Sequence, residues 1–424
     1  MSSPPSMGPR GATVGTTLKD EDGRRYTLQA ELGRGTQAAV FAARASGGQA
    51  VAIKLFWDAG NPSNLARAAA LMRQVQQTRV ALPATVPLAL IRHGQHQGYV
   101  TDLIDGQNLG PMLEHGQSLS YFEGVRMLAA LWSALAQLHA HGIAHGDVRP
   151  ENIMLTDQGI VLIDIDNFVL QGPGAMDGVP QPGMVGDLCM MAPELRAAHL
   201  QQRPASPHIS TASDVYAAVA LSNLMLLGDD DNGNCQSVAE MHQLRMQGWN
   251  ADPMVAGQHS NLTPAMLPLR LMSLIRQGWH PDPALRPEAA EFAQVLGQIL
   301  AEGTLMACGA CHQPLFADAL QHQCPHCGKP LPVPVLKGPQ LSLPVPGGAI
   351  TVGRQELGGD PSVSSKHAVL QRLGPCLRFT DRSTYGASQR DRGQGWEPIP
   401  ATAVVLHAGE KLRLGNTVLE VGHA

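Results

Sequence analysis

The chain has 424 residues, room for roughly two to four domains. Only 15 % of them are charged and the formal net charge is -5, so no basic surface argues for a nucleic-acid partner or an anionic membrane. The longest apolar run, VYAAVALSNLMLLG from Val215, is too short to span a bilayer, and the N-terminus lacks a charged start and an apolar core, which together predict a cytoplasmic protein.

Residues 1–18, rich in Ser, Pro and Gly, read as a disordered tail. YTLQAELGRGTQAAVFAARASGGQAVAIKLF then alternates as strands do around a Gly-rich turn. Gly33 and Gly35 would let backbone N–H groups approach phosphates, with Val40 covering a base, although a GxG alone also fits an ordinary hairpin. NPSNLARAAALMRQVQQTRV has the helical period behind an Asn or Ser cap. No Glu occurs between Lys54 and Glu114. After YVTDLIDGQNL comes a long helical pattern, YFEGVRMLAALWSALAQLHAHGI, whose Leu and Trp residues are expected in the core.

From His145 to Asp166 the chain reads HGDVRPENIMLTDQGIVLIDID. IMLT and IVLIDI are two short strands around the turn Asp157, Gln158, Gly159, which puts Asp147, Arg149, Asn152 and Asp164 on one side of a hairpin. Asn152 with Asp164 offers hard oxygen ligands for Mg2+, leaving Asp147 to accept a hydroxyl proton. The alternative is a hairpin whose polar ends are merely solvated.

This stretch resembles the catalytic loop and metal-binding segment of the eukaryotic-type protein kinases, written HRDxKxxN and DFG. Other motifs of that family surround it in order: the Gly-rich turn, VAIK ending on Lys54, MAPEL and DPALRPEA. The resemblance implies a two-lobed α+β kinase fold over residues 19–302 and ATP- and Mg2+-dependent phosphorylation of serine or threonine in a protein substrate. Asp147 would be the base, Arg149 and Lys54 would balance phosphate charge, and Asn152 and Asp164 would hold the metal. ATP would contact Gly33, Gly35, Val40, Ala52 and Lys54, with Thr101 guarding the back of the adenine pocket and the backbone of Asp102 and Ile104 bonding adenine. His145 and Asp214 would brace the loop, His139 would have a structural role in the turn before it, and Glu194 with Arg286 would form a buried salt bridge.

Several positions depart from that family. Ala38 stands where a third Gly is common, and the helix lacks the Glu that pairs with the strand Lys; Gln74 or a neighbouring Gln could bond Lys54 but could not offset its charge. Asp166 replaces the Gly of DFG and either adds a carboxylate near the metal or caps the following turn, the turn being the preferred reading; Asp187 replaces a Thr near the catalytic Asp. Gly146 replaces the Arg that pairs with a phosphorylated activation loop, and no Ser, Thr or Tyr lies between Ile165 and Pro193, so no switching by activation-loop phosphorylation is expected. The alternative to an active kinase is a nucleotide-binding pseudokinase adaptor.

Residues 303–332 carry CGAC and CPHC, whose Cys308, Cys311, Cys324 and Cys327 have the spacing of a zinc ribbon and would hold a structural Zn2+. His312, His322 and His326 are read as surface residues, and Cys189, Cys235 and Cys376 as small packed side chains. One Lys and no Arg in the ribbon argue against nucleic acid there. Residues 333–345 read as a Pro-rich linker and the start of a β-sandwich, which covers residues 341–424. Its TVGR, SVSSKHAVL, DRSTYGA and GEKLRLGNTVLEV resemble, in order, the motifs of forkhead-associated (FHA) domains. The resemblance implies a phosphothreonine-containing partner bound by Arg354 and Ser364, with contacts from Lys366 and Thr384 and with His367 bracing the loops, while Ser365 and Tyr385 depart from the family. The whole is thus expected to be multidomain: kinase fold, four-cysteine zinc ribbon and all-β FHA sandwich.

Overall fold

A computed structural model of the chain describes residues 12–35, 37–57, 62–94, 96–114, 121–172, 175–180, 190–204, 206–227, 269–301, 305–312, 314–316, 322–324, 327–339, 341–384, 388–400 and 403–424. It divides into two compact units, Met1–Pro253 with Gln277–Ala293, and Met254–Arg276 with Gln294–Ala424. Among the described residues no helix is long and apolar enough to cross a membrane.

The first unit opens with an antiparallel sheet of six strands: β1 (Thr17–Lys19), β2 (Arg25–Arg34), β3 (Ala38–Ala45), β4 (Ala50–Phe56), β5 (Ala89–His93) and β6 (His96–Asp102). Their order is β1-β2-β3-β4-β6-β5. Alternation sends Leu28, Phe41, Ile53, Leu55 and Val100 into one core. On the other face Phe56, Leu90 and Tyr99 pack with Leu65 and Ala68 of helix α1 (Pro62–Thr78). The tail reading fails for residues 12–18: β1 pairs with β2 and Leu18 is fully buried, because an apolar side chain between polar neighbours suffices for an edge strand. Residues 1–11 lie outside the described residues.

Helices α2 (Leu109–Glu114), α3 (Tyr121–Ala140), α4 (Pro193–Leu200) and α5 (Thr211–Leu227) belong to this unit, while α6 (Leu269–Gly278) and α7 (Ala289–Ala301) cross the division. Trp132 of α3 stacks on Phe292 at 3.8 Å between ring centroids and donates its indole N–H to Ser222 Oγ at 3.1 Å, so its one polar atom is satisfied inside the core. Short strands β7 (Gln107–Asn108), β8 (Ile143–Ala144), β9 (Ile153–Thr156), β10 (Gly159–Leu162) and β11 (Val169–Leu170) frame the central stretch. The expected hairpin is β9 and β10, with Thr156 opposite Gly159 and Leu162 opposite Ile153.

In the second unit β12 (Leu305–Ala307) pairs with β13 (Pro314–Phe316). Ten more strands follow: β14 (Pro334–Gly338), β15 (Leu341–Pro344), β16 (Ala349–Val352), β17 (Ala368–Leu373), β18 (Cys376–Asp381), β19 (Ser388–Asp391), β20 (Trp396–Pro398), β21 (Val404–Leu406), β22 (Lys411–Leu414) and β23 (Thr417–His423). They form a six-stranded sheet, β15-β14-β23-β22-β19-β20, and a four-stranded one, β16-β17-β18-β21. Leu336, Leu370, Phe379, Leu412 and Val421 share the core, which is consistent with a β-sandwich. The Pro-rich stretch carries the first strands of the sandwich: β14 and β15 are part of the larger sheet, so Pro334–Gly338 and Leu341–Pro344 are strand where a linker was also read. Its prolines escape the usual penalty because Pro334 opens β14 and Pro344 closes an edge strand.

Candidate active site

The segment leading into the β9–β10 hairpin brings Asp147 and Asn152 together. Asn152 Nδ2 donates to Asp147 Oδ2 at 3.0 Å and to the Asp147 carbonyl at 2.9 Å, while Ile163 N–H donates to the Asn152 carbonyl at 2.8 Å. Asp214, almost wholly buried at the start of α5, accepts from the backbone N–H of His145 at 2.6 Å and of Gly146 at 2.9 Å, and from His139 Nε2 at 3.1 Å. His145 accepts Asp147 N–H on Nδ1 at 3.2 Å and faces the Ile163 carbonyl through Nε2 at 3.1 Å. The loop is thereby held from below and from within. Burial raises the Asp147 carboxyl above the ordinary aspartate range, with Asp164 adding to the shift against the pull of His145, Arg149 and Asn152. A carboxylate so raised is a better proton acceptor. Arg149 Nε lies 3.0 Å from Glu151.

Asp164 has a left-handed backbone, φ 58° and ψ 52°, a conformation that aspartate tolerates better than most residues. Its side chain is 43 % accessible and pairs with Lys54 Nζ. Asn152 spends its amide N–H groups on Asp147, which leaves its oxygen, with the accessible Asp164 carboxylate, as a donor set suited to Mg2+.

Above this loop, Gly33 and Gly35 close the β2–β3 hairpin without positive φ, and a Cβ at Gly33 would meet nothing within 4 Å. Packing therefore does not require glycine at Gly33, whereas close approach by a phosphate would. Val40 and Ala52 lie on β3 and β4, with Val40 opposite Lys54 and Ala52 opposite Thr101. Thr101 is buried, and Asp102 ends β6 with Ile104 just beyond. This lining fits a flat base bound beside backbone groups.

Lys54 meets a second carboxylate. Asp166 Oδ2 is 2.6 Å from Nζ, Tyr99 hydroxyl donates to Asp166 Oδ1 at 2.5 Å, and Arg67 Nε donates to the Asp166 carbonyl at 3.0 Å. Burial alone would lower the Lys54 ammonium, but Asp166 and then Asp164 outweigh it and hold it above the lysine range. Burial alone would likewise raise Asp166, yet Lys54, Tyr99 and Arg67 keep it below the usual value.

The protein kinase domain family matches residues 26–296, well over half of the chain. The chain belongs to the protein kinase family. It is 27 % identical over 304 residues to serine/threonine-protein kinase PkaA of Streptomyces coelicolor, covering 66 % of this chain and 51 % of that protein. It is 34 % identical over 143 residues to PkaB of the same organism, covering 32 % of this chain and 33 % of that one. With PknD of Mycobacterium tuberculosis it shares 28 % over 265 residues, or 62 % of this chain and 37 % of the relative. The chain thus spans about half or less of the length of these kinases.

For a kinase domain two expectations need correction. Among the described residues Gln74 makes no bond to Lys54; the α1 residue that reaches the segment after Asp164 is Arg67. Asp166 does not cap its turn, because both its oxygens are taken by Lys54 and Tyr99. Sequence reasoning did not single out Tyr99 or Arg67, and it placed Asp166 near the metal or on its turn without joining it to Lys54. One signal was available: a helix without Glu and a DFG segment with an added acid are complementary changes. The expected bidentate brace is present, with Arg286 Nη1 and Nη2 donating to Glu194 at 2.8 and 2.7 Å. Asp187 and Cys189 lie outside the described residues, as do Cys235, His326 and Tyr385.

In the second unit the thiols of Cys308, Cys311, Cys324 and Cys327 all lie within 4.8 Å of one another and could hold a metal ion. Sγ of Cys308 is 3.9 Å from that of Cys327, and Cys311 is 3.7 Å from Cys324. A tetrahedron with Zn–S bonds of about 2.3 Å has edges of about 3.8 Å. These separations far exceed a disulfide bond of roughly 2.0 Å. Backbone N–H groups, first of Ala310 at 3.4 Å and then of Cys311, lower the Cys308 thiol to about 6, so it is ready to coordinate as thiolate. His312 and His322 are exposed. Cys376 is buried, and burial pushes its thiol up to about 12, as suits a packed side chain.

At one end of the sandwich Arg354 donates through Nε to the Val363 carbonyl at 3.0 Å, and its N–H donates to the Ser364 carbonyl at 2.9 Å. Thr384 N–H donates to Ser364 Oγ at 3.1 Å. Buried His367 accepts the Ser364 N–H on Nδ1 at 3.1 Å and faces Ser388 Oγ through Nε2 at 3.1 Å. The fold thus groups Arg354, Ser364 and Thr384, while Lys366 is exposed nearby in sequence.

Proposed function

We propose that this chain is an ATP- and Mg2+-dependent serine/threonine protein kinase of the bacterial type. The observation that carries this reading is the two bonded pairs, Asn152 with Asp147 and Lys54 with Asp164. Asp147 takes the proton of the acceptor hydroxyl as that oxygen bonds the γ-phosphorus and the bond to the β-phosphate oxygen breaks. Lys54 balances phosphate charge, and Arg149 turns from Glu151 to the transferred group. Asn152 and Asp164 hold Mg2+, which supplies charge neutralisation on the phosphate oxygens. Gly33, Gly35, Val40 and Ala52 line the nucleotide, and the backbone of Asp102 and Ile104 bonds its adenine. Asp147→Asn should abolish phosphate incorporation into a generic protein acceptor, read by intact mass, while Mg-ATP still binds. Equal incorporation by both proteins would sink the assignment.

Activation-loop phosphorylation is not the switch. At Gly146, with φ 79°, an added Cβ would come 2.4 Å from the Asn167 carbonyl, so the position has no room for the phosphate-pairing arginine. Phosphate incorporation that rises after autophosphorylation and falls back on phosphatase treatment would contradict this.

The four cysteines hold a structural Zn2+, and the sandwich is an FHA module recruiting a phosphothreonine partner through Arg354, Ser364, Lys366 and Thr384. The free thiols suit a cytoplasmic protein. The grouping of Arg354, Ser364 and Thr384 also supports a second reading, a nucleotide-binding pseudokinase adaptor in a phospho-signalling complex. Tight Mg-ATP binding without turnover, together with phosphothreonine-peptide binding lost in Arg354→Ala, would select it.

A further inference from the structure

We propose that Asp166 is the positioning residue for Lys54, supplying from the metal-binding segment the carboxylate that α1 lacks. This rests on the kinase reading and assigns a part of its machinery. Three contacts argue for it. Asp166 Oδ2 lies 2.6 Å from Lys54 Nζ. Its other oxygen is fixed by the Tyr99 hydroxyl at 2.5 Å, and Tyr99 stands directly opposite Lys54 in the β4–β6 register. Its carbonyl is held at 3.0 Å by Arg67, a buried cation on α1 that is itself steadied by Asn64 Oδ1 at 2.5 Å.

The two carboxylates on Lys54 differ in access. Asp164 is 43 % accessible and Asp166 14 %, so the one that a metal can reach is not the one locked in place. When Asp164 turns to Mg2+, Asp166 still holds the ammonium against the phosphates. The charges are exchanged relative to a helix acid facing a neutral loop: here a helix cation faces a loop acid.

A mechanical consequence follows. The Lys ion pair and the metal carboxylate are separate requirements when the acid rides on the helix, and helix displacement can break the first. Here both belong to residues 164–166. Displacing α1 would remove the Arg67 contact and leave the Lys54–Asp166 pair intact. The state of one short segment therefore sets both.

The experiment uses the full chain and reads Mg-ATP affinity by titration as well as kcat and KM for phosphate incorporation, with thermal melts as a check on folding. Asp166→Asn should weaken Mg-ATP binding and raise KM by about tenfold, the worth of one charge-assisted bond. Tyr99→Phe, which deletes only a hydroxyl, should move KM in the same direction by about threefold, a smaller loss of the same kind. Asp166→Gly should behave like Asp166→Asn. Affinity and KM within about twofold of wild type in Asp166→Asn would overturn the assignment. Should Asp166→Asn not fold, an unchanged KM in Tyr99→Phe overturns it. A wild type that neither binds nor transfers overturns the kinase reading, and this inference with it, whereas a wild type that binds nucleotide but ignores Asp166→Asn overturns this inference alone.

Discussion

His367 illustrates how one buried ring sets a loop. Its Nδ1 accepts the Ser364 N–H, so the ring proton sits on Nε2 and points at Ser388 Oγ. A second proton would place two donors face to face at Nδ1. Burial lowers the His367 imidazole below its usual 6.5, with Asp381 opposing. Because the unfolded chain binds that proton more readily, the stabilisation is complete above 6.5 and is lost as pH falls from there through the lowered folded value. Thermal melts between pH 7.5 and 5.5 should therefore show the sandwich transition falling with acidification, and His367→Gln should flatten that slope. A wild-type midpoint independent of pH would contradict the assigned tautomer.

At the scale of an element, the start of α4 is braced by Arg286 through Glu194. The Arg286 side chain is completely buried and places its donors on Glu194, on the Ala212 carbonyl at 2.9 Å, the His280 carbonyl at 2.8 Å and the Pro281 carbonyl at 3.1 Å. Five donors in a planar fork are what arginine has and lysine lacks. Arg286→Lys leaves buried acceptors without partners, and denaturant unfolding should record a loss of about 3 kcal/mol. A loss below about 1 kcal/mol would mean that the brace is dispensable. The β9–β10 hairpin was legible beforehand from its alternation and turn residues, because strand pairing across two turn positions is a local decision. The β14–β15 pair was not legible, since prolines signal a linker until their edge positions are known.

For the molecule as a whole, the Cys cluster has, among the described residues, only Leu315 and Leu331 buried around it, with Met306 alongside. So small a core does not fold unaided, and metal binding should supply its stability. Elemental analysis of the full chain should find about one zinc, and Cys308→Ser should release it and lower the stability of that segment. A wild-type protein purified without metal and insensitive to chelator would remove zinc from the architecture.

Motif order and spacing alone pointed to the kinase fold, to Asp147, Asn152 and Asp164 as the set proposed for catalysis, and to the Cys cluster, because each depends on residues close in sequence or on fixed intervals. Tertiary structure decided what completes Lys54. Tyr99, Arg67 and Asp166 come from β6, α1 and the segment after β10, and only the packing of α1 on the sheet brings them to one ammonium. A missing glutamate is visible in a sequence; the residue that replaces it is visible only where charges from distant segments share a buried space, since there an unpaired ammonium would be too costly to leave.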